Sequence, residues 1–189
     1  MTDQTQGTVH FLFEMGMLKR AKRSGWWIAG VKDPETIAEH SFRVALIGAA
    51  LAYMEGADAA RVALLCTLHD TQETRVGDIP WIGRRYVTAA SNSDVTRDQL
   101  SQAHPAVAKG FQAVVDEYEA AETTEAKVAR DADKLECMIQ GLEYLAQGYQ
   151  PAQEWVDSTR KKLITQSAIE LADAAQSMST TEWQRVYLP

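Results

Sequence analysis

Two cysteines in 189 residues are too few for a disulfide-stapled scaffold. Cys66 and Cys137 both fall in helical, largely apolar stretches and read as reduced core residues of a cytoplasmic protein. No apolar run approaches the roughly 18 residues that a membrane span needs. The first ten residues, MTDQTQGTVH, lack the basic-then-apolar order of a signal peptide, so no membrane partner is expected. Positive charge is scarce as well. Nineteen Lys and Arg stand against 26 Asp and Glu, a net charge of −7. That balance excludes the broad basic face a nucleic-acid polymer requires. It leaves open a small phosphorylated substrate held by a few local cations. Alternating β patterns, internal repeats and low-complexity tracts are also missing.

The composition is 46% hydrophobic and 24% charged, as in ordinary globular proteins. The length fits one domain over 1–189, with a core over about 8–150 and C-terminal helices over 151–187. The periodicity is helical throughout, so the expected fold class is all-α. Residues 1–7 read as a frayed polar start. Residues 8–22 carry Phe11, Met15 and Leu18 on one side of a helix and end in the basic cluster Lys19, Arg20, Lys22 and Arg23. Ser24–Gly25–Trp26–Trp27 then breaks the helix. One of the two tryptophans is expected in the core and the other on a pocket wall. Thr36 is an N-cap for a helix over 37–54, Gly56 ends it, and Asp58 caps a second helix running to His69. Residues 88–104 are polar and read as a loop, with His104–Pro105 opening another helix. The longest helix spans 123–147, with Val128, Leu135, Met138, Ile139 and Leu142 on its core face.

The densest chemistry lies between Leu64 and Pro80, LLCTLHDTQETRVGDIP. If Leu64–Thr74 is one helix, Glu73 lies one turn beyond both His69 and Asp70, and the three share a face. Gly77 and Pro80 then turn the chain, with Asp78 in the turn. His40 heads the apolar stripe Val44, Ile47 and Leu51, and the hairpin of two helices brings it toward His69 and Asp70. A fourth acid comes from the long helix. Asp131 is nearer the apolar stripe, Asp133 lines up with small residues, and periodicity does not choose between them. Two imidazoles and two carboxylates suit one divalent ion such as Mn, Co, Fe or Zn. Such an ion acidifies a coordinated water to near neutral pH.

Ala38-Glu39-His40-Ser41, Leu68-His69-Asp70 and Ala132-Asp133-Lys134-Leu135 resemble the H…HD…D signature of HD-domain phosphohydrolases. The run from His69 to Pro80 is similar to the H-D-x-x-E-x-x-x-G-D-[IL]-P pattern of the 5′-deoxynucleotidase branch. The resemblance implies an all-α HD-domain bundle with a metal site between helices. It also implies hydrolysis of the 5′-phosphate of nucleoside monophosphates, and assembly as a homodimer. By matching position, the metal ligands are His40, His69, Asp70 and Asp133. Glu73 orients or deprotonates the attacking water, and Asp78 acts near the leaving oxygen. Trp26 packs on the sugar and disfavours a 2′-hydroxyl. Arg84 follows the Ile-Pro pair, where it can meet phosphate. Some members carry Arg immediately before the tryptophan where this chain has Gly25, and Arg23 is the substitute. The alternatives are an HD-fold hydrolase of another small phosphorylated metabolite and a non-catalytic nucleotide-binding module. A two-metal HD site needs further histidines between the doublet and the last Asp, and only His104 lies there.

Overall fold

A computed structural model describes residues 3–187. Among them the only pairing of extended backbone is an isolated antiparallel bridge between Lys22 and Thr36. The helices, in order, are α1 (Asp3–Met15), α2 (Gly25–Ile28), α3 (Ile37–Glu55), α4 (Ala59–Leu68), α5 (Glu73–Val76), α6 (Asn92–Gln99), α7 (Pro105–Ala120), α8 (Thr124–Ala146), α9 (Gln153–Arg160) and α10 (Gln166–Ser177). Short 3-10 turns cover Gly16–Lys19, Gly83–Arg85, Gln150–Ala152 and Glu182–Tyr187. The all-α expectation holds.

The α3–α4 hairpin is fixed by local chemistry that the sequence displays. Thr36 accepts from Glu39 N–H while the Glu39 carboxylate accepts from Thr36 N–H, a reciprocal capping box. Gly56 closes α3 in the left-handed region at φ +72°. Asp58 Oδ1 then accepts from Ala60 and Arg61 N–H at 2.9 and 3.0 Å to start α4. The two helices touch closely at Gly48, where a Cβ would lie 2.5 Å from Cys66 Sγ. Val44 and Leu51 of α3, Val62 and Leu65 of α4, Val114 and Val115 of α7, and Val128, Leu135 and Met138 of α8 form one buried cluster. Both cysteines are free and buried. Truncating a fully buried leucine such as Leu65 to alanine would cost about 2–5 kcal/mol.

Several local expectations are corrected. The first helix begins at Asp3, not near residue 8; residues 1 and 2, expected frayed, lie outside the described residues. Residues 25–28 form a short turn of helix rather than a loop. The polar segment 88–104 contains α6, whose Ser91 cap accepts from Asp94 N–H. The expected single helix Leu64–Thr74 is interrupted after Leu68. His69 Nδ1 takes the Cys66 carbonyl at 2.6 Å, the acceptor that Asp70 N–H would use in a continuous helix. Thr71 likewise engages the Leu68 carbonyl with its hydroxyl at 2.8 Å. The chain turns through 69–72 and resumes as α5.

Candidate metal centre and substrate cleft

His40 enters from the first turn of α3, His69 from the end of α4, Asp70 from the turn beyond it, and Asp133 from the middle of α8. The four side chains converge. His40 Nε2 lies 3.3 Å from Asp133 Oδ1 and 3.7 Å from Asp70 Oδ2. His69 Nε2 lies 3.1 Å from Asp70 Oδ2 and 3.7 Å from Asp133 Oδ1. Ligand atoms of His40, His69 and Asp133 all fall within 4.8 Å of one another.

Each imidazole is oriented by its other nitrogen. His40 Nδ1 pairs with the buried Glu136 carboxylate, and His69 Nδ1 with the Cys66 carbonyl. This leaves both Nε2 atoms buried, directed at the acids and without a hydrogen-bond partner. Neutral imidazoles fixed through Nδ1 are what metal ligation requires. Charge agrees with geometry. Burial disfavours the His69 imidazolium, but Asp70 and Asp133 outweigh it and hold its pKa well above the usual value. Burial works against ionised Asp133 too, yet the two histidines hold its pKa well below the ordinary range. The cluster thus draws positive charge strongly. Its N₂O₂ donor set and two orphaned nitrogens fit a divalent cation.

Periodicity left the choice between two acids of α8 open, and the structure gives them different surroundings. Asp131 is fully buried, and its Oδ2 accepts from Ile164 N–H, Thr165 N–H and the Thr165 hydroxyl at 2.9, 2.7 and 2.9 Å. It anchors the entry to α10. Asp133 faces the histidines.

A cleft of about 650 Å³ opens beside the cluster. Asp70, Asp133, Arg23, Glu73 and Asp78 line it, as do Trp26 and Arg84. Arg23 Nη1 reaches Asp70 Oδ2 at 3.3 Å. Glu73 is half-buried, and its Oε2 has no partner. Burial first, then the charges of Asp70 and Asp78, push its carboxyl up to about 9. A cation held among these side chains would oppose that push. Asp78 Oδ2 accepts from Ser24 N–H at 2.6 Å, and its carbonyl accepts from the Ser24 hydroxyl at 2.7 Å, tying the turn after α5 to the strand of chain carrying Arg23. Trp26 is only 1% exposed, and its Nε1 donates to Glu35 Oε1 at 3.0 Å. Trp27 is 54% exposed and does not line this cleft. Arg84 is exposed on the rim, with its Nε directed at the Ile79 carbonyl. His104 takes no part here; it caps α7 by accepting from Ala106 N–H.

Sequence reasoning missed several residues. Glu136 lies three residues beyond Asp133 on α8, and that spacing was the available signal. Arg43 neutralises it, reaching Glu136 Oε1 at 3.0 Å through Nε and Glu143 at 2.8 Å through Nη1. Trp155 and Lys162, which line the cleft, gave no local signal.

Residues 15–176 match the HD domain family. The human protein named 5′-deoxynucleotidase HDDC2 is 28% identical over 177 residues, covering 92% of this chain and 86% of that one. The Schizosaccharomyces pombe 5′-deoxynucleotidase hdd1 is 30% identical over 142 residues, 72% of this chain and 71% of that one. Among solved structures, a conserved hypothetical protein from Pyrococcus furiosus superposes with a TM-score of 0.74 at 27% identity, covering 90% of this chain and 99% of its own. A predicted metal-dependent phosphohydrolase from Magnetospirillum magnetotacticum, 23% identical, shares the fold with a TM-score of 0.71 over 98% and 96% of the two chains. With the H…HD…D residues gathered in one site and the match spanning most of the chain, this protein belongs to the HD-domain family, in the branch whose curated relatives are named 5′-deoxynucleotidases.

Proposed function

We propose that this protein is a metal-dependent phosphomonoesterase that hydrolyses the 5′-phosphate of nucleoside monophosphates, deoxyribonucleotides before ribonucleotides, to nucleoside and phosphate. The observation that carries the reading is the convergence of His40, His69, Asp70 and Asp133 beside a cleft lined by Asp70 and Asp133 together with Glu73, Asp78 and Trp26. The names of the relatives support the same substrate class.

His40, His69, Asp70 and Asp133 would hold one divalent ion, for which Mn, Co, Fe and Zn all suit the donor set. When bound, the ion supplies positive charge for the phosphate dianion and acidifies water. The chain's own residues do the rest. A phosphate monoester needs positioning and charge neutralisation more than covalent catalysis. Arg23, beside Asp70, and Arg84, on the rim, offer guanidinium groups to phosphate oxygens. Glu73 orients the attacking water and accepts its proton through the unpartnered Oε2. Asp78 stands beside the leaving 5′-oxygen and keeps the Arg23–Trp26 segment in place through Ser24. Trp26 presents its edge to the sugar and crowds a 2′-hydroxyl. We read 1–189 as a single functional domain, because α9 supplies residues to the same cleft. We also place the protein in the cytoplasm as a homodimer. Exposed Phe42, Leu46 and Tyr53 along α3 and Leu12 and Phe13 on α1 support the dimer.

The test is Asp70→Ala, measured for metal content and phosphate release together. Loss of both supports the assignment, and full metal content in the variant removes Asp70 from the ligand set.

A further inference from the structure

Gly25 precedes Trp26, and its φ lies outside the left-handed region, so its backbone does not require glycine. What the position requires is space. A Cβ at Gly25 would stand 3.3 Å from Nε1 of Trp155 and 3.8 Å from two carbons of the same indole. The Trp155 ring therefore occupies the volume that a side chain at 25 would take. It leans on Trp26 with ring centroids 5.5 Å apart and planes inclined by 34°. Both rings line the cleft. Trp155 belongs to a face of α9 that also carries Ser158 and Thr159, with Lys162 one turn farther on, and all of them line the same cleft. Lys162 is exposed and forms no ion pair among the described residues. The cleft thus has an aromatic and cationic wall that the phosphate and sugar roles above leave unused.

We infer that Trp155 and Lys162 recognise the nucleobase of the substrate, Trp155 by stacking and Lys162 by donating a hydrogen bond to the oxygen at C6 of a purine or C4 of a pyrimidine. This deepens, and rests on, the nucleotidase reading. A cleft of about 650 Å³ has room for a whole nucleotide. With phosphate at the metal cluster and sugar against Trp26, the next ring in the wall is Trp155. Stacking on an indole is tolerant of base identity, because every base has a π-face. An ammonium only donates. It therefore favours guanine, thymine and uracil, which present a carbonyl oxygen where adenine and cytosine present an amino group.

The experiment compares kcat/KM for dAMP, dGMP, dCMP, dTMP and the base-free ester deoxyribose 5-phosphate, in wild type, Trp155→Leu, Trp155→Phe and Lys162→Met. Melting temperatures are taken for each protein, and Lys162→Met, at an exposed position, carries the test if Trp155→Leu does not fold. In wild type, nucleotides exceed deoxyribose 5-phosphate by about tenfold. Trp155→Leu collapses that ratio toward one through KM, and Trp155→Phe keeps most of it. Lys162→Met removes the preference for dGMP and dTMP over dAMP and dCMP. The inference is overturned if wild type already treats deoxyribose 5-phosphate and nucleotides alike. It is also overturned if Trp155→Leu lowers both equally, or if Lys162→Met depresses all five substrates by one factor. A wild-type protein that cleaves none of the five with any metal overturns the nucleotidase reading itself.

Discussion

His40 of α3 and Glu136 of α8, 96 positions apart in the chain, form a fully buried pair through Nδ1 and a carboxylate oxygen. Arg43 lies against the same carboxylate from one turn along α3. The pair sets which nitrogen of His40 faces Asp70 and Asp133. Replacing a carboxylate that orients a metal-bound histidine commonly costs 10–100-fold in metal affinity. We expect Glu136→Gln to weaken divalent-metal binding by about that factor, measured by competition with a chelating dye. A variant with wild-type affinity would show that the pair serves packing alone.

Asp131 and Asp133 predict opposite phenotypes. Asp131→Ala removes the acceptor for two backbone N–H groups and a hydroxyl at the entry to α10. Stability should fall by about 2–4 kcal/mol in urea unfolding, with metal stoichiometry intact. Asp133→Ala should lose the metal and retain most of the stability. The reverse pattern would exchange their roles.

Glu73→Gln should keep the metal and fold while lowering kcat by about 10²–10⁴-fold, the usual scale of a positioned general base. Metal analysis and phosphate release on one preparation separate the two effects. Near-normal turnover would take Glu73 out of the mechanism.

Glu14 links α1 to α5, accepting from Arg75 at 2.8 and 2.9 Å and from Thr74 and Gln99 at 2.8 and 2.9 Å. The Arg75 hydrogen bond, against some burial, lowers its pKa from 4.5 to about 2. A depressed carboxylate pKa stabilises the fold above the unfolded value and loses that contribution as pH falls through the folded one. The difference in melting temperature between wild type and Glu14→Gln should therefore be full above about pH 5 and shrink as the pH drops toward about 3. A pH-independent difference would mean that Glu14 acts through packing.

Much of the fold was legible because it rests on local chemistry. Thr36, Gly56, Asp58 and His104 each announce a helix end, and each serves as one. That His40, His69, Asp70 and Asp133 come together was legible only through resemblance to a known signature, since periodicity did not separate Asp131 from Asp133. The break after Leu68 was not legible, because it depends on His69 and Thr71 turning back onto their own helix's carbonyls. Glu136 and Trp155 acquire meaning only once α8 and α9 pack against α2 and α3. Their partners are 96 and 129 positions away, as the His40–Glu136 and Trp26–Trp155 pairs show.

The central claim is tested most directly by phosphate release from matched deoxyribo- and ribonucleoside 5′-monophosphates. The protein is stripped of metal and then given Mn²⁺, Co²⁺, Zn²⁺ or Mg²⁺ separately. The account predicts no release without metal, restored release with at least one transition metal, and faster turnover of the deoxy series. Release that persists in the stripped protein, or none from any nucleotide with every metal, would contradict it.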